Sequence, residues 1–374
     1  MMDSEVSVLL HCAAWSGLLE SQVQVELSER FNRQTDPALE REIDKTWTER
    51  VSKEPWLFNG SKFRLHSFCL ASSTSASPKH PSCTCPPQIP VFDRGENQEV
   101  KSYGRKRLEE NICTSNSLHH SAPNGLDETP AENADEHETG LLLTLRLGLT
   151  CYKDYLGTNW SCRVAELRQL GEAEFGDPLA LLAQPLGVGA VLCTDDGQVV
   201  LIRRSQKVAE AGGLLDIPGG HPEPKVVCEC LGQTVREEQI SVGMMKPRAV
   251  VSELFSSVCA EIRDEVNIPL GSLGQPVLMG VALNHTSAGR PSAEFYVRCS
   301  LTCDEVRKLY WKGGAEANES TDIVFLSRAE VMQLDRSSPV WSELCPSAKG
   351  AVLLYQKVKP EQQQNNQLIG SGDG

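Results

Sequence analysis

The sequence has no long apolar run. No stretch approaches the roughly 18 consecutive apolar residues that a helix needs to cross a bilayer, so no membrane partner is expected. It also lacks a basic n-region. The chain opens Met1-Met2-Asp3-Ser4-Glu5, and the apolar stretch Val8–Ala14 is short and broken by His11. A secretory leader is therefore not expected, and the chain reads as cytoplasmic or nuclear rather than secreted. Positive charge is in deficit. The 36 Lys and Arg are outnumbered by 50 Asp and Glu, for a formal net charge of −14. That argues against a nucleic-acid backbone or an anionic membrane as the main partner. An anionic small molecule stays open, because local charge and bound cations decide that. Paired zinc-ligand spacing is missing as well. Among 14 cysteines the closest pairs are Cys83/Cys85 and Cys228/Cys230, both in stretches read as loops. Neither supplies the two thiolate pairs of a zinc ribbon, so the cysteines read as reduced thiols. Nothing in the sequence points to a protein partner.

Lys62–His66 alternates apolar and polar residues, as a half-buried strand does, and Leu141–Thr150 reads as a second strand. Between them, residues 72–139 are rich in Ser, Pro, Asn and Glu with few large apolar residues. Such a segment does not bury enough surface to offset its ordering entropy, so it is expected to be a disordered insertion in a hairpin. The basic run Lys101–Arg107 inside it reads as solvated charge. Residues 1–71 and 140–182 are thus expected to form one β-rich module split by the insertion, with a helix through Val164–Leu167. A second unit is expected over 183–358. Val188–Cys193 and Val199–Arg203 flank Thr194-Asp195-Asp196-Gly197, whose Asp-Gly pair is a hairpin signal. Leu214–Ile217 reads as a short strand entering the turn Gly219-Gly220-His221-Pro222-Glu223. Val251, Leu254, Phe255, Val258 and Ile262 recur at helical spacing from about Ala249. Asn267 suits the left-handed position that closes that helix, and Pro269 prevents its continuation. Val277–Leu283 and Phe295–Leu301 read as a further hairpin, Asp322–Leu326 as a strand and Ser347–Val358 as a closing helix. The Gln/Asn/Gly-rich tail, 359–374, is expected to be disordered.

The richest chemistry lies at the end of the helix near 249–266. Glu261 and Glu265 are four residues apart and share a helix face, with Asp264 beside them. Carboxylates in a last turn oppose the helix dipole. A hard cation offsets that repulsion, since it takes oxygen ligands. Clustered carboxylates, a glycine turn and nearby cationic groups are what hydrolysis of a phosphoanhydride requires. Glu261 and Glu265 are the expected metal ligands, and Asp264 is an expected catalytic group.

These segments resemble the Nudix signature, a glycine, five residues, Glu, seven residues, then Arg-Glu-apolar-x-Glu-Glu-x-Gly-apolar. The second half matches with Ala260 for Arg, Glu261 for the first Glu, Asp264 and Glu265 for the pair, and Asn267 for Gly. The first half is interrupted. Gly220 and Glu261 lie 41 positions apart, against 15 in the signature, which leaves 26 additional residues. The early Glu has no direct counterpart, because forward counting reaches Val226 and backward counting reaches Ser252, beside Glu253. The chain outside the insertion and tail resembles one atypical subfamily, the UDP-glucose/UDP-galactose pyrophosphatases. The likeness rests on PWLF at Pro55–Phe58, KFRLH at Lys62–His66, LGTNW at Leu156–Trp160, LGVGA at Leu186–Ala190 and VAEA at Val208–Ala211. It continues through GGHPEP at Gly219–Pro224, ELFSSV at Glu253–Val258, TSAGR at Thr286–Arg290, AEFYV at Ala293–Val297 and CPSAKGA at Cys345–Ala351.

The resemblance implies an α+β Nudix fold, a mixed β-sheet sandwiched between helices, with an N-terminal β-rich module. It implies hydrolysis of UDP-glucose and UDP-galactose to UMP and the hexose 1-phosphate, with Mg²⁺ as cofactor, Mn²⁺ as the alternative ion and a nucleotide sugar as partner. It places Phe58, Tyr152, Arg204, Ala209, Asp216, His221, Glu223 and Ser347 around the substrate. Phe58 and Tyr152 would stack on the base, Arg204 would bind phosphate, and Ser347 would cap the closing helix beside the ligand. The alternatives are hydrolysis of another nucleotide diphosphate derivative, or a catalytically silent binding or scaffold protein of the same fold.

Overall fold

A computed structural model describes residues 3–71, 140, 142–208, 210–316 and 318–361. The expected insertion at 72–139, its basic run, Cys83, Cys85, Ala209 and the tail from 362 lie outside the described residues. In chain order the elements begin with β1 (Val6–His11), β2 (Val23–Leu27), α1 (Pro37–Lys53), β3 (Ser61–Leu70) and β4 (Leu143–Cys151). Then come α2 (Tyr152–Gly157), α3 (Val164–Phe175), β5 (Gly187–Cys193), β6 (Gln198–Arg204), β7 (Leu215–Asp216) and β8 (Gly219–Gly220). The chain continues through α4 (Pro224–Cys230), α5 (Pro247–Val266), β9 (Val277–Asn284), β10 (Arg290–Arg298) and α6 (Cys303–Lys312). It ends with β11 (Ser320–Ser327), α7 (Arg328–Gln333), α8 (Pro339–Glu343) and α9 (Pro346–Val358).

Among the described residues, eight strands join in one mixed sheet of order β1-β9-β10-β5-β6-β11, with β7 on β6 and β8 on β5. β10 and β5 run parallel, and β10 and β9 pair as the expected hairpin. Successive side chains of a strand point to opposite faces, and β5 uses both. Val188, Ala190 and Leu192 join one core with Leu254, Val258 and Ile262 of α5, whereas Val191 and Cys193 join another with Ala351, Leu354 and Tyr355 of α9. The sheet is thus covered by α5 on one face and α9 on the other, as expected of an α+β sandwich.

Helix α5 follows its apolar stripe, beginning at Pro247 rather than near Ala249. Its end is fixed by Asn267, which adopts the left-handed conformation (φ 63°) and donates its side-chain amide to the Leu309 carbonyl at 2.8 Å. Two readings need correction. Cys228 and Cys230 lie in helix α4, not in a loop, because Pro224 at its first position starts a turn of helix there. Strand β1 lies in the large sheet, outside the β-rich group with which its sequence neighbours were read. Helix α1 is absent from the sequence expectations, although Asp36 before Pro37 is a helix start; its carboxylate accepts from the Ala38 and Leu39 N–H groups at 2.9 Å.

A second sheet, β2-β4-β3, packs over α5. β3 and β4 are antiparallel neighbours, as expected of strands flanking an insertion. Arg64 of β3 ties this sheet to the segment that enters β5. It is 2% exposed and donates to the carbonyls of Leu182, Phe31 and Leu179 at 3.1, 3.0 and 2.8 Å. Burial lowers its pKa to about 10, which still leaves the guanidinium charged at neutral pH. Arg64→Met keeps the length of the side chain and strands those three carbonyls, so it is expected to lower stability by about 3 kcal/mol. Urea unfolding followed by circular dichroism reads this as a lower midpoint at unchanged slope; an unmoved midpoint refutes the anchoring role.

Candidate active site

The site begins with two glycines. In the parallel register, Gly187 of β5 lies opposite Ser292 of β10, and Gly189 lies opposite Glu294. A Cβ on Gly189 would come within 2.5 Å of the Glu294 carboxylate, so only glycine leaves room for that side chain. Arg290, Ser292 and Glu294 alternate along β10 and share a face. Arg290 and Ser292 form, with Gly189, the floor of a cavity of about 220 Å³, walled by Arg204, Glu210, Asp216, His221, Asn284, Glu319 and the start of α9, and Glu294 packs against Gly189 outside that lining.

A second glycine pair joins this cavity to helix α5. Gly219 and Gly220 form β8, pair with β5 and line the cavity. The Gly219 N–H donates to Glu265 Oε2 at 2.9 Å. A Cβ on Gly220 would sit 2.0 Å from Glu261 Oε1, so any other residue would push the helix carboxylate away. Along α5, Glu253, Ser257, Glu261 and Glu265 recur at four-residue steps and make a polar stripe inside the protein. Glu265 is 4% exposed, Glu253 8% and Ser257 7%. Burial pushes the Glu253 and Glu261 carboxyls up to about 7, and Glu316 adds to the effect on Glu261. Glu265 is raised well above the usual carboxylate range by burial and then by Glu261 and Asp216.

Arg204, Asp216, His221 and Ser347 therefore meet around one cavity. Arg204 donates Nη1 to Asp216 at 2.9 Å and Nε to the Glu210 carbonyl at 3.1 Å. His221 is held neutral, its pKa far below the ordinary value, by burial and then by Lys62 and Arg290. Glu223 stands at the entry to α4, where its N–H donates to Glu253 at 3.0 Å and its carboxylate pairs with Lys62 at 3.3 Å. Phe58 and Tyr152 lie outside the cavity wall but converge on Gly60. The exposed Phe58 ring lies beside it, and Tyr152 donates its N–H to the Gly60 carbonyl at 3.1 Å. Asp264 turns to the neighbouring Arg263, at 2.6 Å, away from the cavity wall. Ser347 is not the cap of the closing helix. Cys345 is, its Sγ accepting from the Ala348 N–H at 3.5 Å, because Pro346 takes the first helical position.

Sequence reasoning missed Arg290, Glu294, Glu210, Glu319 and Lys62, and named Glu253 only as a neighbour. Two signals were available: the four-residue recurrence from Glu253 to Glu265, and the alternation of Arg290, Ser292 and Glu294 in an otherwise apolar strand. Glu294 is fully buried, and neither carboxylate oxygen has a hydrogen-bond partner. Burial pushes its pKa up to about 8, against a smaller opposing effect from Ser292. Between the ordinary value of 4.5 and about 8, the folded protein keeps a proton that the unfolded chain has lost. Stability must therefore fall as pH rises through that window, then level off. Glu294→Gln removes the titrating group and is expected to be more stable than the parent at pH 8.5, by on the order of a few kcal/mol relative to their difference at pH 4.5. Urea unfolding at both pH values measures this; parallel curves for the two proteins would assign the slope to another group.

Among the described residues, no three His, Cys, Asp or Glu side chains form a ready-made metal cage. Small hard divalent cations are commonly held by one or two carboxylates, with water and phosphate oxygens completing the shell. The Glu261/Glu265 pair fits that chemistry. Its members repel each other and are pressed by Glu319, and Glu261 sits where only the missing Cβ of Gly220 leaves room. No helix among the described residues is long and apolar enough to cross a membrane.

No protein-family model matches the chain. The uridine diphosphate glucose pyrophosphatase NUDT22 of Homo sapiens is 43% identical over 358 residues, covering 96% of this chain and 94% of the relative. The Mus musculus protein of that name is 44% identical over 361 residues, with the same coverage. Nudix hydrolase 9 of Arabidopsis thaliana is 29% identical over 338 residues, 90% of this chain and 87% of the relative. A solved structure of a MutT protein from Methanosarcina mazei Go1 covers 48% of this chain and 94% of that chain at 14% identity, with a TM-score of 0.27 that carries no argument. Nudix hydrolases generally use divalent metals, in keeping with the carboxylate pair on α5. With 43% and 44% identity to two relatives across 96% of its length, the chain belongs to the NUDT22 family of Nudix hydrolases.

Proposed function

We propose that this chain hydrolyses UDP-glucose and UDP-galactose, with Mg²⁺, to UMP and glucose 1-phosphate or galactose 1-phosphate. One observation carries the reading: Gly219–Gly220 belongs both to the wall of the cavity and to the contact with the α5 carboxylates. A diphosphate held in the cavity is thereby presented to a metal held by Glu261 and Glu265. The relatives named as uridine diphosphate glucose pyrophosphatases supply the choice of nucleotide sugar.

In this reading Glu261 and Glu265 hold the metal, which neutralises phosphate oxygens and activates water when bound. The remaining roles belong to the chain. Asp216 and Glu223 accept from sugar hydroxyls, and Asp216 also fixes the Arg204 fork. Neutral His221 and Ser347 offer hydrogen bonds from the cavity wall. Phe58 and Tyr152 supply the aromatic faces for uracil. Asp264, paired with Arg263, completes the catalytic carboxylates by orienting the attacking water or meeting the metal through water. Water attacks one phosphorus, the bridging P–O bond breaks, and the departing phosphate oxygen keeps the electron pair.

Incubation of the purified chain with UDP-glucose and Mg²⁺ in ¹⁸O-labelled water is expected to give UMP and glucose 1-phosphate, with label in one of them. Absence of glucose 1-phosphate while ADP-ribose or a dinucleotide polyphosphate is cleaved would move the chain to another nucleotide. Glu265→Gln is expected to lower kcat by at least about a hundredfold with the circular dichroism spectrum unchanged. Full activity in that variant would remove Glu265 from the metal site.

A further inference from the structure

Two guanidinium groups line the cavity, and they differ in how fully they are paired. Arg204 is bonded to Asp216 and to the Glu210 carbonyl at ordinary distances, 2.9 and 3.1 Å. Arg290 is 9% exposed, and its Nε has no partner. Its two amino nitrogens make only long contacts, both at 3.4 Å, to His221 Nε2 and to Glu210 Oε2. A guanidinium carries five N–H donors, and burying them unfilled is costly unless something arrives to take them. Nor is Glu210 Arg290's alone, since its carboxylate also accepts from Asn284 at 3.1 Å and from the Ser287 hydroxyl.

The position of Arg290 is fixed by the backbone. It opens β10 immediately after the Ala288–Gly289 turn and pairs with Asn284 of β9. Its Nη1 lies 3.3 Å from where a Cβ on Gly187 would be, so the glycine leaves it space. The His221 that it touches directly follows Gly220, the residue against which Glu261 packs. A planar fork with open donors, one residue from the carboxylate helix, matches two oxygens of a phosphate group.

We propose that Arg290 is a phosphate ligand: its unfilled donors take oxygens of the substrate's diphosphate beside the Gly219–His221 turn. The inference rests on the reading that this cavity accepts a nucleoside diphosphate. Arg204 is neutralised by Asp216 and held in place by it, so Arg290 is the cation with capacity to spare.

Inorganic diphosphate is the probe, titrated by calorimetry into the full chain with excess Mg²⁺, alongside kinetics on UDP-glucose and binding of uridine. Arg290→Met is expected to weaken diphosphate binding at least about tenfold, the size of a lost charged hydrogen bond, and to raise KM for UDP-glucose. Uridine carries no phosphate and is expected to bind parent and variant alike. Arg290→Lys keeps the charge and loses the fork, and is expected to fall between them. If the methionine variant does not fold, the lysine variant decides: diphosphate affinity equal to the parent's overturns the proposal. So does the absence of diphosphate binding by the parent, or a parallel loss of uridine and diphosphate binding in the variants. Failure of the parent to cleave UDP-glucose, with the diphosphate difference intact, would instead sink the choice of substrate.

Discussion

The architecture turns on an atom that is missing. Gly220 has no Cβ, and the space that atom would fill holds a carboxylate oxygen of Glu261. Because β8 is bonded to β5 on one side and touches α5 on the other, this contact sets the distance between the sheet and the helix at the site. The helix is held at this same C-terminal end by the Asn267 amide on the Leu309 carbonyl, and along its length by Leu254, Val258 and Ile262 against the sheet. Close approach is usually a matter of packing volume; at Gly220 it also decides where charge can be concentrated.

Charge is unevenly distributed across that contact. The helix side carries Glu253, Glu261 and Glu265, all with raised pKa values, with Lys62 as a nearby cation. The cavity side carries Arg204 and Arg290 together with neutral His221 and the carboxylates of Glu210, Asp216 and Glu319. Low polarity sharpens both sets, because buried charges interact more strongly than hydrated ones. Carboxylates gathered along one buried helix face are costly when left alone, and a hard cation relieves them.

How much of this was legible in the sequence depends on how local each feature is. Helix α5 was readable because its apolar stripe keeps helical period and Asn267 and Pro269 end it. The Glu261/Glu265 pair followed from four-residue spacing alone. The same spacing runs back through Ser257 to Glu253, but the interrupted signature drew attention to the missing glutamate rather than to the continuing stripe. The cavity floor was hidden for another reason. β10 is buried on both faces, so its polar alternation at Arg290, Ser292 and Glu294 reads as interruptions of an apolar strand until Gly187 and Gly189 are seen opposite. Cys345 escaped as a helix cap because a thiol is a weak acceptor, and Ser347 two residues on was the more obvious choice.

Strand β1 carries a consequence for how the molecule is made. Residues 6–11 occupy one edge of the large sheet against β9, whose pairing partners lie some 270 positions later in the chain. The junction is stitched by the His285 N–H to the Glu5 carbonyl and by Trp341 to Asp3. At ordinary rates of synthesis the first strand therefore waits on the order of tens of seconds for its neighbour. Closing so long a loop adds little to the equilibrium cost, since that cost grows only with the logarithm of length, but it comes late. Until it closes, β9 presents an unpaired edge whose side chains are all buried in the finished protein, the kind of surface that recruits other strands. The opening dozen residues are thus the cover of the sheet's most adhesive margin, and a short N-terminal deletion would be felt first as self-association rather than as loss of chemistry.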